Sequence, residues 1–274
     1  MQSIGIIGFG NMGQAIASRL CKNYDLHIFD INTIKTKGTC GLRIHADISS
    51  VVISSDTLIL AVKPQDFDSL LESIKYSIDG KLVISIAAGI TTEYIERKLG
   101  HIRVVRVMPN MPAQIGEGVI CLSAGKFTKE MDLDLAVKLF SLLGETLKVN
   151  ENLMNAVTAV SGSGPAYVCE YINSCGGLDK VSDESSKVFL KEFRAAAVEV
   201  GFSEQEAALL VDKTFSGTVN FIRRMKVLPE DLEIQVASKG GTTEAALSVL
   251  RASGTLSDAV KAALKRADEL SRRK

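Results

Sequence analysis

The sequence predicts an α/β protein: a doubly wound, mostly parallel sheet followed by an all-helical C-terminal domain. Short apolar runs alternate with amphipathic segments through the first half of the chain, the trace of strands joined by crossover helices. Those runs are nearly continuous in Val and Ile, as strands covered on both faces are. After Asn150 they thin out, and Ala, Glu, Lys and Leu at helical spacing take over to the C-terminus.

Taken in order, the strands are expected at Ser3 to Ile7, Leu26 to Phe29, Thr57 to Val62, Leu82 to Ile86, Ile102 to Val107, Val119 to Ser123 and Thr146 to Val149, each bounded by Gly, Asp, Asn or Pro. Met12 to Cys21, Phe67 to Tyr76, Thr92 to Leu99 and Lys129 to Leu143 carry apolar residues three and four apart and should be helices packed on the sheet. The change of texture divides the chain into a domain over residues 1–151 and a helical one over 152–274. In the second, Ser203-Glu204-Gln205-Glu206 is a capping box, Pro165 suits the first residue of a helix, and the polar stretch Gly176 to Ser186 reads as an exposed loop.

The 274 residues carry 32 Lys and Arg against 32 Asp and Glu. That balance argues against a nucleic-acid or anionic-membrane partner, and the basic tail Arg272-Arg273-Lys274 is too short to reverse it. No apolar run is long enough to cross a bilayer and no leader pattern opens the chain, so a cytoplasmic location is expected. The five cysteines form no Cys-x-x-Cys pair and the three histidines are far apart, so no metal site is expected.

Gly8-Phe9-Gly10-Asn11-Met12-Gly13 follows the first strand and opens the first helix, the setting in which G-x-G-x-x-G binds a dinucleotide. Gly8 permits the tight turn, Gly10 lets backbone approach a pyrophosphate, and Gly13 allows close helix–strand packing. Asp30, 22 residues after Gly8, is placed either to take the ribose hydroxyls of NAD or to cap the turn after it. The first role favours NADH over NADPH, while Lys35 and Lys37 could still serve a phosphate. Ala61-Val62-Lys63-Pro64, Ala87 and Asn110 end later strands on the edge where ligands of such sheets bind. A solvated Lys63 and a turn-forming Asn110 are the plainer roles for those two.

In the helical domain Ser161-Gly162-Ser163-Gly164-Pro165-Ala166-Tyr167 interrupts the pattern with small residues suited to close backbone approach. Ser238-Lys239-Gly240-Gly241-Thr242-Thr243 leads into a helix; it is either an amide nest for a small carboxylate or a flexible Gly-Gly loop with a Thr cap.

With these segments in order, the chain resembles the Δ1-pyrroline-5-carboxylate reductase family over nearly its whole length. The carriers are the Gly8 to Gly13 loop, Ala61 to Pro64, Arg106 to Pro112, Ala156 to Tyr167 and Gly240 to Thr243; the last two are the most specific. The resemblance implies a Rossmann-like first domain, a helical second domain that interlocks with its mate in a homodimer or an assembly of dimers, and reduction of 1-pyrroline-5-carboxylate by NADH or NADPH to L-proline. It further implies that Ser238, Gly240, Gly241 and Thr242 hold the substrate carboxylate while Thr243 approaches the imine nitrogen. Three departures stand out: Lys239 replaces a proline of the family pattern, Ile234 an acidic residue, and the stretch from Tyr167 to Gly201 is longer.

A protonated imine is already a good hydride acceptor, so orientation and charge stabilisation suffice and no strong general base is called for. Two other readings remain open from sequence. One is a reductase of the β-hydroxyacid dehydrogenase type with Lys191 or Lys213 as acid; the other is a non-catalytic dinucleotide-binding relative.

Overall fold

The structure is a computed structural model that describes residues 2–36 and 41–272; Lys37 and Cys40 therefore lie outside the described residues. The chain runs β1 (Ser3–Ile7), α1 (Asn11–Leu20), β2 (Asp25–Phe29), β3 (Arg43–Ile44), α2 (Ile48–Ile53), β4 (Thr57–Leu60), α3 (Phe67–Ile74), β5 (Leu82–Ser85), α4 (Thr92–Leu99), β6 (Arg103–Met108), β7 (Gly118–Ala124), α5 (Glu130–Phe140) and β8 (Gly144–Lys148). One sheet takes the order β3-β2-β1-β4-β5-β6-β7-β8. Strands β1 to β6 pair in parallel. The strand order reverses at β1, which lies between β2 and β4, and the carboxyl ends of β1 and β4 therefore flank the crevice where ligands of doubly wound sheets bind.

Isoleucine, leucine and valine fill both faces of the central strands, and β4 and β5 are buried at every position, which is why those runs read without alternation. Their core continues through Leu70, Leu71 and Ile74 of α3 and Tyr94 and Ile95 of α4. Two elements escaped the sequence reading: β3 has two residues, both exposed, and α2 has six, too few for either to show a period. Asp47 starts α2 by accepting the Ser50 amide at 2.7 Å. β7 is antiparallel to β6, with Met108 opposite Cys121, because the short connection between them cannot cross the sheet.

The chain divides into two compact units, one formed by the chain up to Met108 with Ile120–Glu151, the other by Pro109–Val119 with the chain from Asn152 on. A cut at 151 alone is therefore too simple. Side chains explain why the inserted segment packs with the helices: Asn110 accepts from the Val119 amide at 3.0 Å and faces Thr214 Oγ1 at 3.4 Å, while Glu117 takes Asn220 at 2.6 Å and pairs with Arg224.

The second unit continues with α6 (Met154–Val157), a π-helical turn at Thr158–Gly162, α7 (Gly164–Ser174), α8 (Asp183–Glu199), α9 (Glu204–Met225), α10 (Pro229–Val236), α11 (Thr242–Arg251) and α12 (Leu256–Ser271). Pro165 occupies the first turn of α7 and Ser203 caps α9 with Glu206 reciprocating. The loop after α7 is shorter than its polarity suggested, because Ser182 accepts the Ser185 amide at 3.1 Å and begins α8. Along α9, Leu210 and Phe221 are buried in the unit, while Leu209 and Phe215 are half-buried. Among the described residues of this unit, the large apolar side chains that face outward are Val188, Val198, Met225, Leu228 and Ile234. Among the described residues no helix is long and apolar enough to cross a membrane, and no group of three potential metal ligands occurs.

Candidate active site

At the carboxyl end of β1 the chain turns at Gly8 with φ of +100°, a region that L side chains rarely adopt. A Cβ there would lie 2.6 Å from the Ala61 backbone, and one at Gly13 would lie 2.2 Å from Gly8 O. Both glycines are thus required for packing. Gly10 differs: nothing lies within 4 Å of its absent Cβ, and it caps α1 in extended conformation without a side-chain bond, leaving the first helical amides for an anion. A cleft of about 540 Å³ opens here, lined by Gly8, Gly10, Asp30, Ala61, Val62 and Lys63 among the expected residues. These groups fit a dinucleotide: a bare glycine surface and helix amides for phosphates, with a carboxylate one strand away.

Asp30 is not simply poised for a ribose. Its Oδ2 accepts the Phe9 amide at 2.6 Å and its Oδ1 the Asn32 amide at 2.7 Å, so it pins the glycine loop to the end of β2 and caps the next turn. Lys35 Nζ stands 3.7 Å from the same carboxylate. Each oxygen keeps a lone pair for a hydroxyl donor.

The remaining expected residues divide by role. Phe9 is buried, and Asn11 and Met12 form the first turn of α1. Pro64 opens the short turn that leads into α3, carrying Gln65 and Ser69 to the cleft wall; neither had been singled out, although a proline at a helix start points to the residues just after it. Ala87 is a core residue and Asn110 is buried with both ends of its amide engaged.

In the second unit, Ser238 to Gly241 is a tight turn: the Gly241 amide donates to Ser238 O at 2.8 Å and Gly240 has φ of +69°. The Gly240 amide donates to the Glu244 carboxylate. Both glycine amides are therefore occupied, and the orphan donors of this end are the amides of Thr242, Thr243 and Glu244 at the start of α11. Arg266 of α12 grips Gly240 O at 2.8 Å, a contact no local pattern announces. Thr243 is buried, and its hydroxyl donates to Ser163 Oγ at 3.0 Å. At the other end of α11, Arg251 binds Glu233 of α10 and Glu170 of α7. Burial pushes the Glu233 carboxyl up, against the pull of Arg251.

Comparison with known proteins bears on both halves. Residues 187–270 match the family described as pyrroline-5-carboxylate reductase dimerisation, and residues 3–89 that described as NADP oxidoreductase, coenzyme F420-dependent. The chain is 33% identical to the pyrroline-5-carboxylate reductase of Synechocystis sp. over 98% of each chain. It belongs to the pyrroline-5-carboxylate reductase family. The enzyme of that name from Haemophilus influenzae is 34% identical over 97% of each chain. A solved pyrroline-5-carboxylate reductase from Coxiella burnetii, 30% identical, superposes with a TM-score of 0.65 and covers 98% of both chains. The Plasmodium falciparum pyrroline carboxylate reductase, solved with NADP bound, is 26% identical with a TM-score of 0.63 and the same coverage. Membership of this family sets aside the β-hydroxyacid dehydrogenase reading, and Lys191 and Lys213 are both exposed on their helices.

Proposed function

We propose that this member of the family reduces 1-pyrroline-5-carboxylate to L-proline, with the substrate carboxylate on the amide end of α11 and the Thr243 hydroxyl at the ring nitrogen. The observation that carries this reading is the pairing of orphan helix amides with a buried, oriented hydroxyl on adjacent residues. That is what a cyclic imine bearing one carboxylate needs. A reduced nicotinamide dinucleotide in the first-unit cleft supplies the hydride. Gly10 leaves room for its pyrophosphate, Gly8 and Gly13 let the turn and helix pack tightly beneath it, and Asp30 with Lys63 and Gln65 lines the cleft for its sugars.

NADH is proposed to serve at least as well as NADPH. A 2′-phosphate on the Asp30 side of the cleft meets a carboxylate that also holds the Phe9 amide, and Lys35, the cation beside that carboxylate, is already engaged with it. Steady-state kinetics with both cofactors tests the point; a kcat/KM for NADPH about ten times that for NADH would reverse the assignment. The working form is proposed to be a homodimer, in which the outward apolar residues Val188, Val198, Met225, Leu228 and Ile234, all within the span that matches the dimerisation family, are covered by a second copy. Light scattering with parallel activity measurement checks this, and a fully active monomer at micromolar concentration contradicts it. The decisive assay for the reaction is turnover of 1-pyrroline-5-carboxylate with loss of nicotinamide absorbance; no turnover with either cofactor sinks the reading.

A further inference from the structure

The π-helical turn at Thr158–Gly162 interrupts what would otherwise be one helix from Met154 to Ser174. Such turns insert a residue and re-aim the side chains beyond the insertion. Here Ser161 and Ser163 come out fully buried. Ser163 stands at the cap position of α7 but makes no side-chain cap bond. The hydroxyl that a serine at this position ordinarily gives to its own helix goes to α11 instead: it receives Thr243 at 3.0 Å and lies 3.0 Å from Thr242 Oγ1. One turn on in α7 is Tyr167, fully buried, whose phenol is pushed up by burial. Tyr167 donates its single proton to Ala159 O at 2.9 Å, back across the π-helical turn. Farther along the same two helices, Glu170 meets Arg251. Seven residues separate Ser163 from Glu170 and eight separate Thr243 from Arg251, which at about 1.5 Å per residue are nearly equal rises. So α7 and α11 lie alongside each other, tied at both ends.

Resting on the assignment of Thr243 to the ring nitrogen, we propose that Ser163 is a positioning residue: it holds the Thr243 oxygen in place and lets the Thr243 proton turn between Ser163 and the substrate. The ring nitrogen presents a lone pair as an imine and an N–H once protonated or reduced. A hydroxyl facing it must therefore donate in one state and accept in the other. Thr243 accepts from substrate while donating to Ser163, as it does here. For Thr243 to donate to substrate, the Ser163 proton turns from Thr242 to Thr243, and no heavy atom moves. A backbone carbonyl in place of Ser163 could only accept, and an alanine could do neither.

Ser163→Ala, Thr243→Ala and the double variant test this with 1-pyrroline-5-carboxylate as substrate, cofactor fluorescence titration and thermal unfolding as controls. Ser163→Ala is expected to lower kcat about tenfold with KM within about threefold, and in the Thr243→Ala background its further cost is expected to be under about twofold, since it acts through that hydroxyl. Cofactor affinity and unfolding temperature stay near those of the parent. Multiplicative losses in the double variant overturn the proposal, as does a fully active Ser163→Ala beside an impaired Thr243→Ala; both leave the proposed reaction standing. A fully active Thr243→Ala removes the assignment of Thr243 and this role with it, and a parent chain that binds cofactor without turning over the imine removes the reaction itself.

Discussion

Two loops, one in each unit, begin their helices alike. Gly10 at the start of α1 and Gly241 at the start of α11 are both cap residues in extended backbone, at φ −74°, ψ −169° and φ −88°, ψ −178°, with no side-chain cap bond. Their surroundings differ. The first loop is fixed mainly by main chain, with Gly8 against the Ala61 backbone and Gly13 against Gly8 O, to which Asp30 on the Phe9 amide and Gln14 on Phe9 O are added. The second is fixed by side chains, with Arg266 on Gly240 O, Glu244 on the Gly240 amide and Ser163 on Thr242 and Thr243. The glycine loop at α1 is thus a rigid fixture, whereas the loop at α11, the proposed substrate loop, can be retuned one residue at a time.

The largest effect that probes this contrast is expected from alanine at the glycines. Gly8→Ala combines a positive φ with a clash against backbone that cannot rotate away, and a loss of more than about 3 kcal/mol, with cofactor binding abolished, is expected. At Gly241 φ is ordinary, and the nearest obstacle is the Ser238 hydroxyl, 2.2 Å from an added Cβ, with Ser238 O at 2.9 Å. That variant should fold and bind NADH but turn over poorly. Denaturant titration and cofactor fluorescence on both variants decide it; equal destabilisation would mean the second loop is as much a backbone fixture as the first.

Next in size is Thr243→Ala, expected to lower kcat/KM for the imine about tenfold to a hundredfold, the worth of one hydrogen bond to a charged group at about 1.5–3 kcal/mol. NADH affinity should be spared, and Thr243→Ser should recover most of the loss. An unchanged kcat/KM would leave the loop as a helix cap only.

The same contrast explains what could be read in advance. The glycine loop was legible because its geometry is local: strand, tight turn and helix succeed one another in sequence, and each glycine answers to a backbone constraint. Asp30 was legible as a position, but whether it reads a ribose or caps a turn depends on the Phe9 and Asn32 amides that reach it. The substrate loop was found as a motif, yet its working parts were not. Ser163 meets Thr243 across 80 residues and Arg266 meets Gly240 across 26, and no periodicity encodes such meetings. The helical unit is harder to read for a related reason: in α9, whose turns are covered by several neighbours, an apolar stripe does not say whether it faces this chain or another.

The smallest expected effect concerns the far side of the rigid unit, where His27 of β2 and His45, just beyond β3, share a hydrogen bond of 2.8 Å between ring nitrogens. One ring must donate and the other accept, so the contact fails if both are protonated. Burial lowers the His27 value from 6.5, assisted by His45 and Arg43 and opposed by Asp25 at 3.6 Å. A basic group whose folded value is depressed binds fewer protons folded than unfolded, so its share of stability is complete above 6.5 and is lost as pH falls from there through the folded value. The unfolding temperature of the parent should therefore decline on acidification below pH about 6.5, on the order of a few degrees for this one contact. His27→Gln keeps a polar group beside His45 but cannot take a proton, and its profile over the same interval should be flatter. A decline of equal slope in the variant would place the acid sensitivity elsewhere, and would confine the rigidity of the first unit to the glycine loop and the central strands rather than extending it to the sheet edge.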